Sequence, residues 1–353
     1  MKRPLAIVFI VVQIVLYAAA WRTVAPKESD FPAFYSAARL WQEGANPYDL
    51  EQQCTTQFPI RGEPCLPFAH PPVLLPVVSL VSNDDFVRSY YRWTSVLLGV
   101  VLICLIPLYK ISKEWRLSFQ SILFLPVVIA LALGQDTPFI LLAVLCWFWL
   151  LGERRDFLAG LALSLSVLKP QIAILLGVPL LFARPKAFFG FLVGGFALLL
   201  FSFALAGKEG FSELLHIVRV MSQGKGFGVN PAVMVSVTGL LARVGLSVSW
   251  SWIFFALALV AISVLWRKMG TTPPMLSAGI AIALFCAPHL HLHDLSLLSA
   301  PILFIHPLAP VAVSAFLAAA YAFSLQQWAA YILLGFVAIR FLTQRRNDAK
   351  RAL

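Results

Sequence analysis

Apolar segments long enough to cross a lipid bilayer follow one another along almost the whole chain. The hydrocarbon core of a membrane is about 30 Å thick and takes a helix of about 20 apolar residues, with shorter helices tolerated inside a bundle. Hydrophobic residues make up 60% of the chain and charged residues 12%, whereas soluble domains average about 45 to 50% apolar residues. The sequence therefore predicts an all-α, polytopic membrane protein.

We predict twelve membrane crossings within a single integral membrane domain spanning residues 1–353. Lys2 and Arg3 precede the first apolar stretch, as in a signal peptide, but the stretch is long and lacks a clear cleavage site, which favours a first span. The longest outer segments are then residues 22–91, the large outer loop, and 207–248. The crossings are predicted at 5–21, 92–109, 118–133, 138–151, 157–168, 171–183, 187–206, 249–266, 276–287, 295–305, 308–324 and 328–342.

The distribution of charge predicts how the chain is oriented. With the N-terminus inside, the inner connections carry 16 basic and 4 acidic residues, and the outer segments carry 11 basic and 12 acidic residues. Cytoplasmic loops are enriched in Lys and Arg, so we expect both termini on the cytoplasmic side of the cytoplasmic membrane. The net charge of +11 then reflects orientation, and no nucleic-acid partner is predicted.

The large outer loop carries the most informative pattern of polar residues. Asp30 precedes an early proline and an amphipathic stretch, which predicts an N-cap and a helix along the membrane surface. Cys54 and Cys65 lie in the same loop, and an oxidising outer compartment would favour a disulfide between them. Such a bond closes a ring of about a dozen residues and contributes about 3 kcal/mol in the loop-entropy model.

Four sequence blocks in the N-terminal half carry a resemblance to a known family. They are Asp30-Phe31-x-x-Phe34-Tyr35-x-Ala37-Ala38 continuing to Gly44-x-Asn46-Pro47-Tyr48-Asp49, then Phe68-x-x-Pro71-Pro72, then Gly134-Gln135, and Ala159-Gly160 leading into Leu168-Lys169-Pro170. With these blocks the chain resembles glycosyltransferase family 87, outer-face enzymes of the GT-C class that include polyprenyl-phosphate-mannose-dependent α-mannosyltransferases.

The resemblance implies a GT-C fold and a reaction on the outer face of the membrane. A hexose, mannose by preference, would pass from a polyprenyl-phosphate sugar to a glycolipid or glycan acceptor with inversion, and no cofactor would be needed. Asp30 would be the base that takes the proton of the acceptor hydroxyl. Without the resemblance, the simpler interpretation of Asp30 is a helix cap that accepts backbone N–H bonds.

The departing phosphate needs positive or hydrogen-bonding partners, and a few residues qualify. Lys169 lies between two apolar segments, where it would otherwise be a lysine that snorkels from a helix end. His289, His291 and His293 form the densest histidine cluster of the chain, for which we prefer donor binding to a metal site. Candidates within the large outer loop are Arg39 and His70, which are also consistent with a solvated surface.

Other classes of function are weighed against the transferase. No Walker loop, dinucleotide glycine fingerprint or nucleophile elbow occurs in the sequence, which favours a lipid-linked donor. A lipid or solute transporter would also need many spans and a few intramembrane charges, but matched halves with broken helices are not evident. A noncatalytic scaffold would use the long outer loops as docking surfaces and would tolerate the loss of Asp30.

Overall fold

The computed structural model describes residues 26–222, 230–306, 309–322 and 324–351. Within these ranges the chain forms 18 α-helices joined by short 3-10 segments, with no strand. The all-α prediction is therefore confirmed for the described part. In chain order the helices are α1 Phe31–Gln42, α2 Leu50–Arg61, α3 Leu75–Val81, α4 Phe86–Ile103, α5 Leu105–Ser112, α6 Trp115–Ile122, α7 Leu125–Leu133, α8 Thr137–Gly152, α9 Asp156–Ser164, α10 Pro170–Gly177, α11 Leu180–Ala183, α12 Pro185–Ser222, α13 Val237–Arg243, α14 Ser251–Met269, α15 Pro273–Cys286, α16 Ser299–Leu303, α17 Ala309–Ala322 and α18 Gln326–Arg351.

Among the described residues, three helical segments are long and apolar enough to cross a membrane, and one of them, Pro185–Ser222, is kinked at Gly207, which has a φ of +65°. They are Phe86–Ser112, which joins α4 and α5, Pro185–Ser222 and Val248–Met269. A fourth is obtained if α6 and α7, bent by 46° at their junction, form one broken span. Most of the remaining predicted crossings correspond to shorter apolar helices, 328–342 lies within the longer helix α18, and 5–21 lies outside the described residues. A membrane protein is supported, while the number of twelve spans stays a prediction.

Close contact between α9 and α12 forms one side of the bundle. An added Cβ at Gly160 would lie 1.7 Å from the carbonyl oxygen of Ala187, and one at Gly190 would lie 2.1 Å from that of Phe157. Backbones can approach this closely only where the side chain is a hydrogen, as in other small-residue contacts between membrane helices. The Ala159-Gly160 block is therefore explained by packing.

The large outer loop is folded against the bundle and is not a free surface segment. Neighbouring segments of the protein cover α1 on most of its sides, and Phe31 and Phe34 are almost completely buried. Phe31 stacks on Trp93 of α4 with ring centroids 6.4 Å apart, and Phe34 lies 5.8 Å from the same ring. α1 is therefore covered by protein on most of its sides, because its aromatic side chains pack against neighbouring segments. Its position along the membrane surface stays a prediction.

Candidate active site

Asp30 is held where the start of α1 meets the end of α7. Its backbone N–H donates to the carbonyl of Leu133 at 2.9 Å, and its Oδ2 accepts a hydrogen bond of 2.6 Å from Nε2 of Gln135. α7 ends at Gly134, which has a φ of +67°, so the chain turns there in the left-handed conformation that glycine adopts without strain. A Cβ at Gly134 would lie 3.1 Å from Cβ of Phe31. In the Gly134-Gln135 block, Gly134 therefore allows both the turn after α7 and the close contact with α1, and Gln135 binds Asp30.

The carboxylate of Asp30 does not cap α1. Asp30 occupies the N-cap position, but its side chain makes no capping hydrogen bond, and the N–H of Phe31 donates instead to Oγ of Ser29 at 3.3 Å. The simpler interpretation of Asp30 as a helix cap is therefore not supported. Burial raises the pKa of Asp30 above its ordinary value, while the Gln135 hydrogen bond and the charges of His70 and Lys169 lower it.

His70 is paired with a carboxylate that no solvent reaches. Its Nδ1 lies 2.8 Å from Oδ2 of Asp136, whose side chain is 0% exposed. The ring packs on Phe34, with centroids 4.6 Å apart, and the His70 carbonyl accepts a 2.7 Å hydrogen bond from the hydroxyl of Tyr48. Tyr48 of the Asn-Pro-Tyr-Asp turn therefore supports the segment that carries His70, which explains that block structurally.

Lys169 is bound to the fully buried carboxylate of Asp294. The same carboxylate accepts a 2.9 Å hydrogen bond from the backbone N–H of His291 and a 3.3 Å hydrogen bond from the hydroxyl of Thr137. Nζ of Lys169 also lies 3.4 Å from Nε2 of His293. Asp294 therefore joins the break before α10 to the start of α8 and to the histidine segment.

The histidine segment 288–293 is held from two further directions. Nε2 of Gln171 donates to the His289 carbonyl at 3.0 Å, and the hydroxyl of Thr238 in α13 donates to the Pro288 carbonyl at 2.6 Å. Burial, as the largest cause, lowers the pKa of His289 to about 3 and that of His291 to about 4. Both imidazoles are therefore neutral near pH 7 and can accept as well as donate hydrogen bonds.

One large cavity brings most of these groups together. Its volume is about 1500 Å³. Much of the wall is apolar and comes from α7, α12, α14 and α17, with a polar end formed by the groups described above. The polar side chains at that end belong to Asp30, His70, Gln135, Lys169, Gln171, His289, His291 and His293. The cavity is therefore amphipathic, with a long apolar wall beside a carboxylate, a lysine and several imidazoles.

Three predicted features lie elsewhere. Arg39 does not line the cavity and pairs with Asp84, at 2.7 Å, and Glu43. Cys54 and Cys65 form a disulfide with their Cα atoms 5.2 Å apart, which closes α2 onto the segment that follows it. Asp49 caps α2 through a 3.1 Å hydrogen bond from the N–H of Gln52. No group of three or more His, Cys, Asp or Glu side chains within the described ranges has the arrangement of a metal site.

The pairing of the two buried carboxylates, Asp136 and Asp294, could not be predicted from the sequence. Asp136 and Asp294 each follow a residue that was noticed, Gln135 and His293, yet their partners, His70 and Lys169, lie far away along the chain. The available signal was an acidic residue in an apolar context, which needs a cationic or hydrogen-bonding partner when it is buried.

The family model of glycosyltransferase family 87 matches residues 68–289, which is more than half of the chain. The chain belongs to glycosyltransferase family 87. No curated protein matches it in the comparison made, and neither does any solved structure.

The family 87 match includes most of the cavity but not all of it. His70, the Gln135 turn, Lys169 and His289 lie inside the matched residues, whereas Asp30, His291 and His293 lie outside them. Membership, together with the apolar helices, supports a membrane glycosyltransferase that uses a sugar donor and an acceptor. The matched residues thus include both His70 and its partner Asp136. Asp30 lies outside the matched residues and contacts them in the folded protein through its hydrogen bond with Gln135.

Proposed function

We propose that this family 87 protein transfers a hexose, with mannose as the preferred sugar, from a polyprenyl-phosphate donor to a glycolipid or glycan acceptor. The observation that carries the proposal is the Asp30 carboxylate, which is free of any capping role and lies at the polar end of an amphipathic cavity. A base and a set of hydrogen-bonding groups thereby line the same space as a wall suited to a lipid chain.

Asp30 acts as the general base in this proposal. It removes the proton of the acceptor hydroxyl as the oxygen attacks the anomeric carbon, while the bond from that carbon to the phosphate oxygen breaks and its electron pair leaves with the phosphate. Attack from the face opposite the phosphate inverts the anomeric centre. Gln135 supports the role because its hydrogen bond stabilises the charged form of Asp30.

Lys169 and the histidines His289, His291 and His293 provide partners for the phosphate. Positive charge and N–H groups placed where negative charge develops are usually the largest contribution to catalysis. Lys169 retains N–H groups beyond the one directed at Asp294, because an ammonium has three donors. The contacts that hold residues 288–294 keep these groups in place before substrate binds.

The apolar wall supports a lipid-linked donor over a nucleotide sugar. Apolar residues from α7 and α12, such as Val128, Leu198 and Leu214, line the cavity. A prenyl chain would be stabilised by about 25 cal/mol for every Å² of apolar surface removed from water. We place the cavity on the outer face of the cytoplasmic membrane with both termini cytoplasmic, as the excess of inner basic residues supports.

The proposal is tested by sugar transfer in membranes that contain the wild type, Asp30→Asn or Asp49→Asn. The donor is radiolabelled polyprenyl-phosphate mannose, and the acceptor is a crude lipid and glycan extract. Asp49→Asn is the matched control because Asp49 caps α2 outside the cavity and asparagine can also cap. We expect transfer by the wild type and the control and a loss of at least about a hundredfold in Asp30→Asn.

Equal transfer by Asp30→Asn and the wild type would exclude Asp30 as the base. If the wild type transfers another lipid-linked sugar but not mannose, the assignment of mannose is wrong and the rest of the proposal stands. Movement of the labelled lipid across the bilayer without transfer, unaffected by Asp30→Asn, would instead favour a transporter.

A further inference from the structure

The two ring nitrogens of His70 differ in their contacts: one is paired with a carboxylate, and the other is available to bind a ligand. Nδ1 lies 2.8 Å from Oδ2 of Asp136, and Nε2 has no hydrogen-bond partner within the described residues. The side chain is 19% exposed and lines the cavity, so the open nitrogen is accessible from it. A buried carboxylate at one nitrogen fixes both the tautomer and the direction in which the other nitrogen points.

Asp136 has few other ways to satisfy its charge. Its side chain is 0% exposed, and its second oxygen, Oδ1, is buried without a hydrogen-bond partner within the described residues. A buried carboxylate is costly unless a cation or several donors face it. The contact with Nδ1 of His70 is therefore the main polar contact of the Asp136 carboxylate, and it holds the imidazole ring in one orientation.

His70 also lies at the reactive end of the cavity. Asp30, Phe34 and His70 line the same cavity, and the rings of Phe34 and His70 lie 4.6 Å apart. The other cavity histidines differ in their surroundings. Within the described ranges, no carboxylate contacts the ring of His289 or His291, and the two rings lie with their centroids 4.8 Å apart.

We propose that His70, oriented by Asp136, binds the phosphate of the lipid-linked donor and of the released lipid phosphate through its Nε2. The proposal rests on the proposed function and assigns Asp136 as a positioning residue for it. When the bond between the anomeric carbon and the phosphate oxygen breaks, the phosphodiester monoanion becomes a phosphomonoester that carries more negative charge. His70 then binds the product phosphate more strongly than the donor, while the acceptor proton stays with Asp30.

Direct binding tests this role without relying on transfer. Purified protein in nanodiscs is titrated with radiolabelled polyprenyl phosphate and, separately, with the neutral polyprenol of the same length. The variants are His70→Phe, which keeps an aromatic ring, His70→Gln, which keeps a neutral N–H donor, and Asp136→Asn. His216→Phe is the matched control because His216 is exposed on α12 and does not line the cavity.

We expect His70→Phe to bind polyprenyl phosphate roughly tenfold to a hundredfold more weakly, as for a lost hydrogen bond to a charged group. His70→Gln and Asp136→Asn should lose less, and His216→Phe should match the wild type. Binding of the neutral polyprenol should be unchanged in every variant. A misfolded variant would lose both ligands and is thereby distinguished from the loss of a phosphate contact.

Unchanged phosphate binding by His70→Phe would overturn the proposal, and a fall in transfer rate with it would identify His70 as a second base or an acceptor ligand. The proposal would also be overturned if the wild type transfers sugar but binds polyprenyl phosphate no more tightly than polyprenol. Failure of the wild type to bind any polyprenyl phosphate would instead count against the proposed donor.

Discussion

Gln135 and Asp30, which are 105 positions apart in sequence, are joined by a hydrogen bond of 2.6 Å from Nε2 of Gln135 to Oδ2 of Asp30. This contact connects the end of α7 to the start of α1 and favours the charged form of a carboxylate that burial otherwise disfavours. The balance between these two effects sets the pH range over which Asp30 can accept a proton.

Replacing Gln135 with leucine should shift the acidic limb of the pH–rate profile to higher pH. The limb reports protonation of Asp30, whose pKa is already raised by burial, and the variant removes the hydrogen bond that lowers it. Transfer should therefore fall most at low pH and recover as pH rises. Gln42→Leu is the control, because Gln42 bonds to Ser79 outside the cavity. A shift to lower pH, or the same shift in the control, would contradict the assignment.

Replacing Lys169 with methionine should destabilise the protein by about 3 to 5 kcal/mol, because it leaves a charge buried without its partner. The Asp294 side chain is 0% exposed and that of Lys169 only 9%. Adding Asp294→Asn should recover part of the loss. Unfolding in mixed micelles measures the effect, and Arg88→Met, which breaks an exposed pair with Asp85, should cost less than about 1 kcal/mol. Equal losses in both variants would show that Lys169 is not held in a buried pair.

Under denaturing conditions without a reductant, three of the five cysteines should react with a maleimide, and all five should react after reduction. Cys54 and Cys65 form the disulfide, while Cys104, Cys146 and Cys286 are free. The reactive thiols are counted by the mass that each maleimide adds. Five reactive thiols before reduction in protein from the native membrane would place the loop in a reducing compartment and contradict an outer active site.

Alanine at Gly190 should reduce the yield and stability of folded protein, whereas alanine at Gly195 should not. An added Cβ at Gly190 would lie 2.1 Å from the carbonyl of Phe157, and one at Gly195 would meet nothing within 4 Å. Overpacking of this kind costs about 1 to 3 kcal/mol, while alanine at an open helical position gains up to about 1 kcal/mol over glycine. Thermal unfolding of both variants in the same detergent checks the difference. Similar behaviour of the two would mean that α9 and α12 do not pack as closely as described.

The membrane class, the helical fold and the residues of several blocks could be predicted from the sequence because each depends on local composition. Apolar length, the Asp30 position before a helical pattern and the glycine of the Gly134 turn are all visible in short windows. The covering of α1, Phe31–Gln42, by other protein segments could not be predicted, since residues that pack on it, such as Trp93, are distant in sequence. A hydrophobic pattern shows which side of a helix is apolar and cannot show what covers its other sides.

The sequence by itself determined that this protein is a helical membrane protein of a glycosyltransferase family and which polar residues stand out in it. Only the tertiary structure decided that Asp30 bonds to Gln135 instead of capping its helix, that His70 pairs with Asp136 and that Lys169 pairs with Asp294. Hydropathy and helix capping are set by neighbours along the chain. Pairing of buried charges is set by which helices pack together, because each charge must find its partner within a few ångströms in space.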